Sequence, residues 1–261
     1  MKVTGAGMLQ GHYAKKQIHS KDRLIAWNHR ARFEVGLRLA REYAAGRRVL
    51  DYGCGDGSFL AMLTGEGDAA TPRAAVGAEL SEGLVEDCRR RLGERGRLDF
   101  LLVAALEEER HRGAYDLVVC MEVFEHVVDA APVVARLKRV LAPGGRLVLS
   151  VPVETGLPLL VKQAARRVAG WRGIGDYPGT SPYTLGELWA GVVAGTRQHI
   201  TRPIHTADDG TRFHDHKGFN WMRLRETLSE SFHVERTLGS PVAWLPPHLG
   251  SQAWFVLRGR S

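Results

Sequence analysis

The sequence predicts an α/β protein whose mostly parallel, seven-stranded sheet carries helices on both faces. Three observations point there. From about residue 47 to residue 152, short apolar runs alternate with helical patterns, the rhythm of strand–helix–strand units. Several runs, such as "LDFLLVAAL" and "YDLVVCME", are apolar almost throughout, which suits strands buried on both faces. The alternation lapses after Pro152 and resumes near residue 220, so a single domain is expected to carry an insertion after its fifth strand.

The elements follow in order. Residues 22–45 place Leu24, Ile25, Phe33, Leu37, Leu39 and Ala40 at helical spacing and end near Gly46. "RRVLDYG" is the first strand, "SFLAML" opens a helix, and "RAAVGAEL" is the second strand. "SEGLVEDCRRRLGERG" is a helix with Ser81 as N-cap and Glu82 and Glu86 in its first turns. "LDFLLVAAL" and "YDLVVCME" are strands three and four. "AAPVVARLKRVLAPGG" is a helix stopped by Pro-Gly-Gly, and "RLVLSVPV" is strand five. Residues 153–217 hold two helical pieces among many Gly, Pro and aromatic residues. "NWMRLRETLSES" is then a helix, and "FHVERTLGSP" and "SQAWFVLRG" complete the strands. The expected plan is an N-terminal arm and helix (1–45), a core (46–152), a substrate-side lid (153–217) and a C-terminal completion of the sheet (218–261).

Composition is that of a globular chain, with 44% apolar and 25% charged residues in 261. Cys54, Cys88 and Cys120 form no CxxC pair and leave an odd count, which argues against a disulfide framework. The N-terminus lacks an apolar signal region. No run reaches the roughly 18 apolar residues of a membrane span. Cytoplasm is the expected compartment. The net charge of +7 admits an anionic partner, yet its arginines are scattered, as on solvated helix faces.

In "VLDYGCGDGSFL" the spacing is Gly53-x-Gly55-x-Gly57, with Asp51 two positions before the first glycine. A dinucleotide loop reads GxGxxG and cradles a pyrophosphate, which the Asp51 carboxylate would repel and a cationic ligand would not. The stretch resembles the first motif of class I S-adenosylmethionine (SAM) methyltransferases, a Rossmann-like family whose ligand carries an ammonium and a sulfonium. The resemblance runs in chain order from about residue 47 to 152. It implies a SAM site built from Asp51, Gly53, Cys54, Gly55, Gly57, Glu79, Leu80, Leu106 and Met121. Glu79, at the tip of the second strand, would hold the ribose hydroxyls. Many members carry an acid after the third strand to reach the adenine amino group. Here that place reads Ala104 and Ala105, leaving Leu106 to pack the ring and Glu107 as a substitute acid. Cys54 and Cys120 read as small buried thiols.

"MEVFEHV" follows the fourth strand. On a helical turn, Glu122, Glu125 and His126 share one face, and oxygen ligands with imidazole suit Mg²⁺ or Mn²⁺ among other divalent ions. This Glu-x-x-Glu-His resembles two families: ubiquinone-pathway O-methyltransferases, and small-RNA 3′-terminal 2′-O-methyltransferases in which both Glu and the His ligate a metal. The second family takes a further His from a "DHxFxW"-like segment. The chain reads "HDHKGFNW", offering His216 as fourth ligand and His214 as its alternative, with Gly218 inserted and Asn220 in place of an acid. The resemblance thus implies Glu122, Glu125, His126 and His216 as catalytic or metal-ligating residues.

Acceptor choice should fall to the insertion and its neighbours, where Trp171, Tyr177, Tyr183, Trp189 and Trp244 could stack on a sugar, ring or base or pack the lid. His199 and His205 read as surface or substrate contacts. Tyr13, Lys15, Lys16 and His19 would sit on an arm over the cofactor. A small hydroxylated acceptor or glycan is the preferred partner. The 2′-hydroxyl of an RNA 3′ end is the alternative, weakened by the lack of a concentrated basic stripe. A non-catalytic SAM-fold subunit would predict a degraded glycine loop, and a dehydrogenase would bind nicotinamide.

Overall fold

The computed structural model describes residue 11 and residues 23–65, 71–93, 96–171, 181–242 and 245–260, with side chains described from residue 26 and, in the helix ending at Trp171, up to residue 167. Tyr13, Lys15, Lys16, His19, Tyr177, Trp244 and the Trp171 side chain lie outside that set.

In chain order the elements are α1 (Arg23–Ala44), β1 (Arg48–Tyr52), α2 (Ser58–Leu63), β2 (Ala74–Glu79), α3 (Glu82–Leu92), β3 (Leu98–Leu102), β4 (Tyr115–Met121), α4 (Ala130–Val140), β5 (Leu141–Pro152) and α5 (Gly156–Trp171). There follow α6 (Leu185–Val192), β6 (Ile204–Thr206), β7 (Arg212–His214), α7 (Trp221–Ser231), β8 (Phe232–Ser240) and β9 (Gln252–Gly259). The seven-stranded sheet runs β3-β2-β1-β4-β5-β9-β8, and among the described residues β6 and β7 form a second sheet of two strands. Strand β1 pairs in parallel with both β2 and β4, with Leu50 opposite Val76 on one side and Val118 on the other. The chain moves outward from β1 to β3 and then crosses back to β4. Ligands in such sheets gather beyond the strand ends at this switch point.

Two compact units divide the chain, residues 1–121, 134–149 and 256–261 in one and residues 122–133 and 150–255 in the other. In the first, Val49, Leu50, Phe100, Leu117, Val118 and Val119 are fully enclosed, and α1 buries Phe33, Leu37, Leu39 and Ala40 as its periodicity requires. Ser81 caps α3, its hydroxyl accepting from the Leu84 N–H. In the second unit, Asn220 caps α7 by accepting from the Met222 and Arg223 N–H groups. A reciprocal Thr184–Glu187 capping box opens α6. Among the described residues no helix is long and apolar enough to cross a membrane.

Three local expectations change. Strand three does not reach Leu106: β3 ends at Leu102 and residues 103–107 form a 3-10 turn. Arg139 of α4 holds that turn, donating to the Leu106 and Glu107 carbonyls at 2.8 Å each. The fourth strand ends at Met121 rather than Glu122, because Glu122 takes the left-handed conformation with φ 55°. The stretch after α6 contains the unforeseen β6–β7 hairpin, with Ile204 opposite His214.

Candidate active site

The glycine loop links β1 to α2 within the first unit. Gly53, Gly55 and Gly57 all have positive φ, at 75°, 54° and 71°, where a side chain would be strained. The Gly53 and Cys54 N–H groups both donate to the Ala78 carbonyl, which fastens the loop to β2. A Cβ on Gly57 would meet Leu92 and Phe100 at 2.9 and 3.0 Å, so this glycine serves packing. A Cβ on Gly55 would meet nothing within 4 Å among the described residues. The open side of the loop is therefore at Gly55.

Glu79 points back at that loop. Its Oε2 accepts from the Gly55 N–H at 2.8 Å and its Oε1 from the Leu80 N–H at 2.7 Å. Asp51 is only 2% exposed, and its Oδ2 has no hydrogen-bond partner among the described residues. Burial, reinforced by the nearby Glu79 and Asp56 charges, pushes its pKa up to about 8. A buried, under-satisfied carboxylate beside an open glycine fits a cationic ligand, so the residues present suit SAM. Leu80 is exposed and Met121 half-buried, both at strand ends, whereas Leu106 is fully enclosed. Glu107 faces α4, its Oε1 accepting from Arg136 Nε at 2.6 Å. Cys54 and Cys120 are buried; hydrogen bonding with Cys88 and burial raise the Cys54 pKa.

The second constellation lies wholly in the second unit. Residues 124–126 form a turn rather than a helix, closed by the His126 N–H donating to the Val123 carbonyl. The helical spacing argument therefore does not apply. Among the described residues, the group able to hold a metal is Glu125, His126 and His216, whose ligand atoms lie within 4.8 Å of one another. Glu122 is not in it: its Oε1 accepts from Ser150 Oγ at 3.1 Å.

The choice between the two downstream histidines is resolved by backbone pairing. The His214 N–H donates to the His126 carbonyl, and His126 Nδ1 lies 3.0 Å from the His214 carbonyl. A carbonyl can only accept, so His126 carries its proton on Nδ1 and leaves Nε2 a lone pair. The His214 ring donates through Nδ1 to Pro203 at 2.7 Å. His216 is the one whose ring stands 5.1 Å from that of His126. Burial is the main cause that lowers the His126 pKa.

Three supports escaped the sequence reading. Arg202 donates to the carbonyls of Glu125, Asp215 and Lys217 and lies over the Phe219 ring. Burial pulls its pKa down to about 10. Asp215 accepts from the Ser181 N–H and Oγ and the Lys217 N–H, with His205 Nε2 at 3.3 Å. Glu154, 2% exposed, receives Lys162 and Arg166. No motif marks any of the three, though a charge within an apolar run ("VPVETGLPLL") was the available signal for Glu154. Tyr183 accepts from the Gly218 N–H at 2.9 Å and so packs the insertion. Trp189 and His199 are exposed.

Residues 24–191 match the Methyltransferase domain family. The chain is 41% identical over 103 residues to a ubiquinone biosynthesis O-methyltransferase of Thiobacillus denitrificans, covering 39% of this chain and 42% of that protein. It is 39% identical over 108 residues to the like-named protein of Aromatoleum aromaticum, covering 41% and 44%. The chain thus spans under half the length of these curated relatives. Among solved structures it resembles a Pyrococcus horikoshii protein, with TM-score 0.56 and 17% identity over 89% of this chain and 91% of the other. It also resembles the N-methyltransferase NodS of Bradyrhizobium japonicum, solved with S-adenosyl-L-homocysteine, with TM-score 0.52 and 15% identity over 89% and 87%. At such identities the likeness shows the fold.

Proposed function

Because the chain belongs to the methyltransferase domain family, matched over residues 24–191, we propose that it transfers a methyl group from SAM to a hydroxyl oxygen of a small molecule or glycan. The observation that carries this reading is the open, left-handed Gly55 beside the buried Asp51 carboxylate. The O-methyltransferase names of the relatives support the direction of transfer. When bound, SAM supplies an electrophilic methyl on a sulfonium. Asp51 would pair with the cationic part of the ligand, Glu79 would accept from its ribose hydroxyls, and the Gly55 backbone would lie against it. Leu80 and Met121 would form its apolar surroundings, while the fully enclosed Leu106 packs the interior instead of meeting the ligand.

A hydroxyl is a weak nucleophile until its proton is removed. His126, with Nδ1 donating to the His214 carbonyl and Nε2 carrying a lone pair, suits that role. Its lowered pKa keeps it neutral near pH 7. The hydroxyl proton would pass to Nε2, and the Glu125 carboxylate, 3.9 Å from Nε2, would stabilise the imidazolium.

A second reading is favoured by the meeting of His216 with Glu125 and His126. A divalent ion such as Mg²⁺ or Mn²⁺ held there would supply Lewis acidity to a vicinal diol, as at an RNA 3′-terminal ribose. The test is methyl transfer from labelled SAM, with and without Mn²⁺, to metabolite extracts and to short RNAs with free or blocked terminal diols. Labelling of a small hydroxylated metabolite supports the main reading. Metal-dependent labelling that requires the free diol replaces it with the RNA reading, and no transfer to anything favours a non-catalytic binding subunit.

A further inference from the structure

Glu154 plays no part in the chemistry outlined above, yet it is the most thoroughly enclosed charge beside that cluster. It sits two residues past β5 with its side chain 1% exposed. Its Oε1 receives Lys162 Nζ at 3.0 Å and Arg166 Nη2 at 3.1 Å, and its Oε2 receives Arg166 Nη1 at 3.3 Å. Lys162 and Arg166 lie four apart on α5 and so present one face to it. Lys162 also donates to the Ser251 carbonyl, which accepts the Val153 N–H as well. The carboxylate is fixed from its backbone outward. His216 Nδ1 stands 3.6 Å from Oε1, a third cationic or donor group where two already neutralise the charge.

We propose that Glu154 is a positioning residue for His216, holding the imidazole with its proton on Nδ1 and its Nε2 lone pair available to the acceptor-side cluster. The inference rests on the reading that places His216 in that cluster. A carboxylate can only accept from an imidazole, so the nitrogen facing it bears the proton. The same device operates next door, where His126 donates from Nδ1 to the His214 carbonyl. Two imidazoles with ring centroids 5.1 Å apart thus each turn Nδ1 toward a fixed acceptor, at 3.0 Å for His126 and 3.6 Å for His216. One acceptor is backbone and the other is this buried carboxylate. Outer partners of this kind fix tautomer and ring orientation wherever histidine serves as ligand or base.

The first arm of the test is nitrogen-15 NMR of the wild-type ring, assigned by loss of its signals in His216→Ala and read near pH 8. An Nδ1–H neutral tautomer supports the proposal, and an Nε2–H tautomer overturns it, with no acceptor needed. The proposal can therefore stand or fall apart from the functional reading. The second arm is a double-mutant cycle. Glu154→Met, which removes the acceptor, should lower kcat by about 10- to 100-fold with little change in KM, and Glu154→Gln, which retains an acceptor oxygen, should recover part of it. In a His216→Ala background the Glu154→Met change should alter kcat by about twofold or less. An equal loss in both backgrounds means that Glu154 only neutralises Lys162 and Arg166. Should Glu154→Met fail to fold, the wild-type tautomer decides.

Discussion

At Asp51 the chain buries a carboxylate near Glu79 and Asp56, and the pKa rises to about 8. For a carboxyl whose pKa is higher folded than unfolded, the stabilisation is complete below the ordinary carboxylate range and is lost as pH rises through about 8. Asp51→Asn should therefore raise the melting temperature of the ligand-free protein at pH 8 and leave it little changed near pH 4. The same substitution should abolish tight binding of S-adenosyl-L-homocysteine, read by calorimetry. A variant that binds as well as wild type would remove Asp51 from the site. Gly55→Val places its side chain in open space at φ 54°, at a strain of about 1–3 kcal/mol. The expected result is a folded protein without cofactor affinity; equal affinity in both proteins would end the assignment. These residues were legible in the sequence because glycine spacing reports backbone conformation directly. The orphaned Oδ2 was not, since partners depend on the folded surroundings.

Elements decide what a motif can do. Glu122, Glu125 and His126 have helical spacing, but they follow a strand end with a left-handed residue, and the turn at 124–126 gathers only two of them. The third member, His216, arrives through a hairpin of two three-residue strands. Such strands are too short for hydrophobic alternation to announce them. Arg202 joins the two pieces by donating to the Glu125, Asp215 and Lys217 carbonyls. Arg202→Met would leave those carbonyls without their donor, at about 1–3 kcal/mol for each one that stays buried and unsatisfied. Denaturant melts should show a loss of about 2 kcal/mol or more, with a fall in methyl transfer. Arg202→Lys should not restore either, since an ammonium lacks the planar fork that reaches three acceptors. Full rescue by lysine would reduce Arg202 to a charge.

For the whole molecule, the expected readout is linkage between ligand and fold. A ligand that binds only the folded state at about 100 times its Kd adds roughly 2.7 kcal/mol, so S-adenosyl-L-homocysteine should raise the melting temperature of wild type and not of Gly55→Val. Chelation asks a separate question. If turnover on the identified acceptor survives thorough chelation, the Glu125–His126–His216 group acts through His126 as base; if turnover vanishes and Mn²⁺ restores it, the group acts as a metal centre. The sequence by itself determined the alternating α/β order, the seven strands and the glycine loop with Asp51 and Glu79. Each of these is written in local periodicity or in positions a few residues apart. It also brought "MEVFEHV" and "HDHKGFNW" into one hypothesis by resemblance. Only the tertiary structure decided that the ring of His216 rather than that of His214 joins His126 and Glu125, that Glu122 stays outside that group, and that Arg202 ties its segments together. Those outcomes rest on contacts between segments far apart in the chain, where burial and backbone pairing, not spacing, select the side chain that arrives.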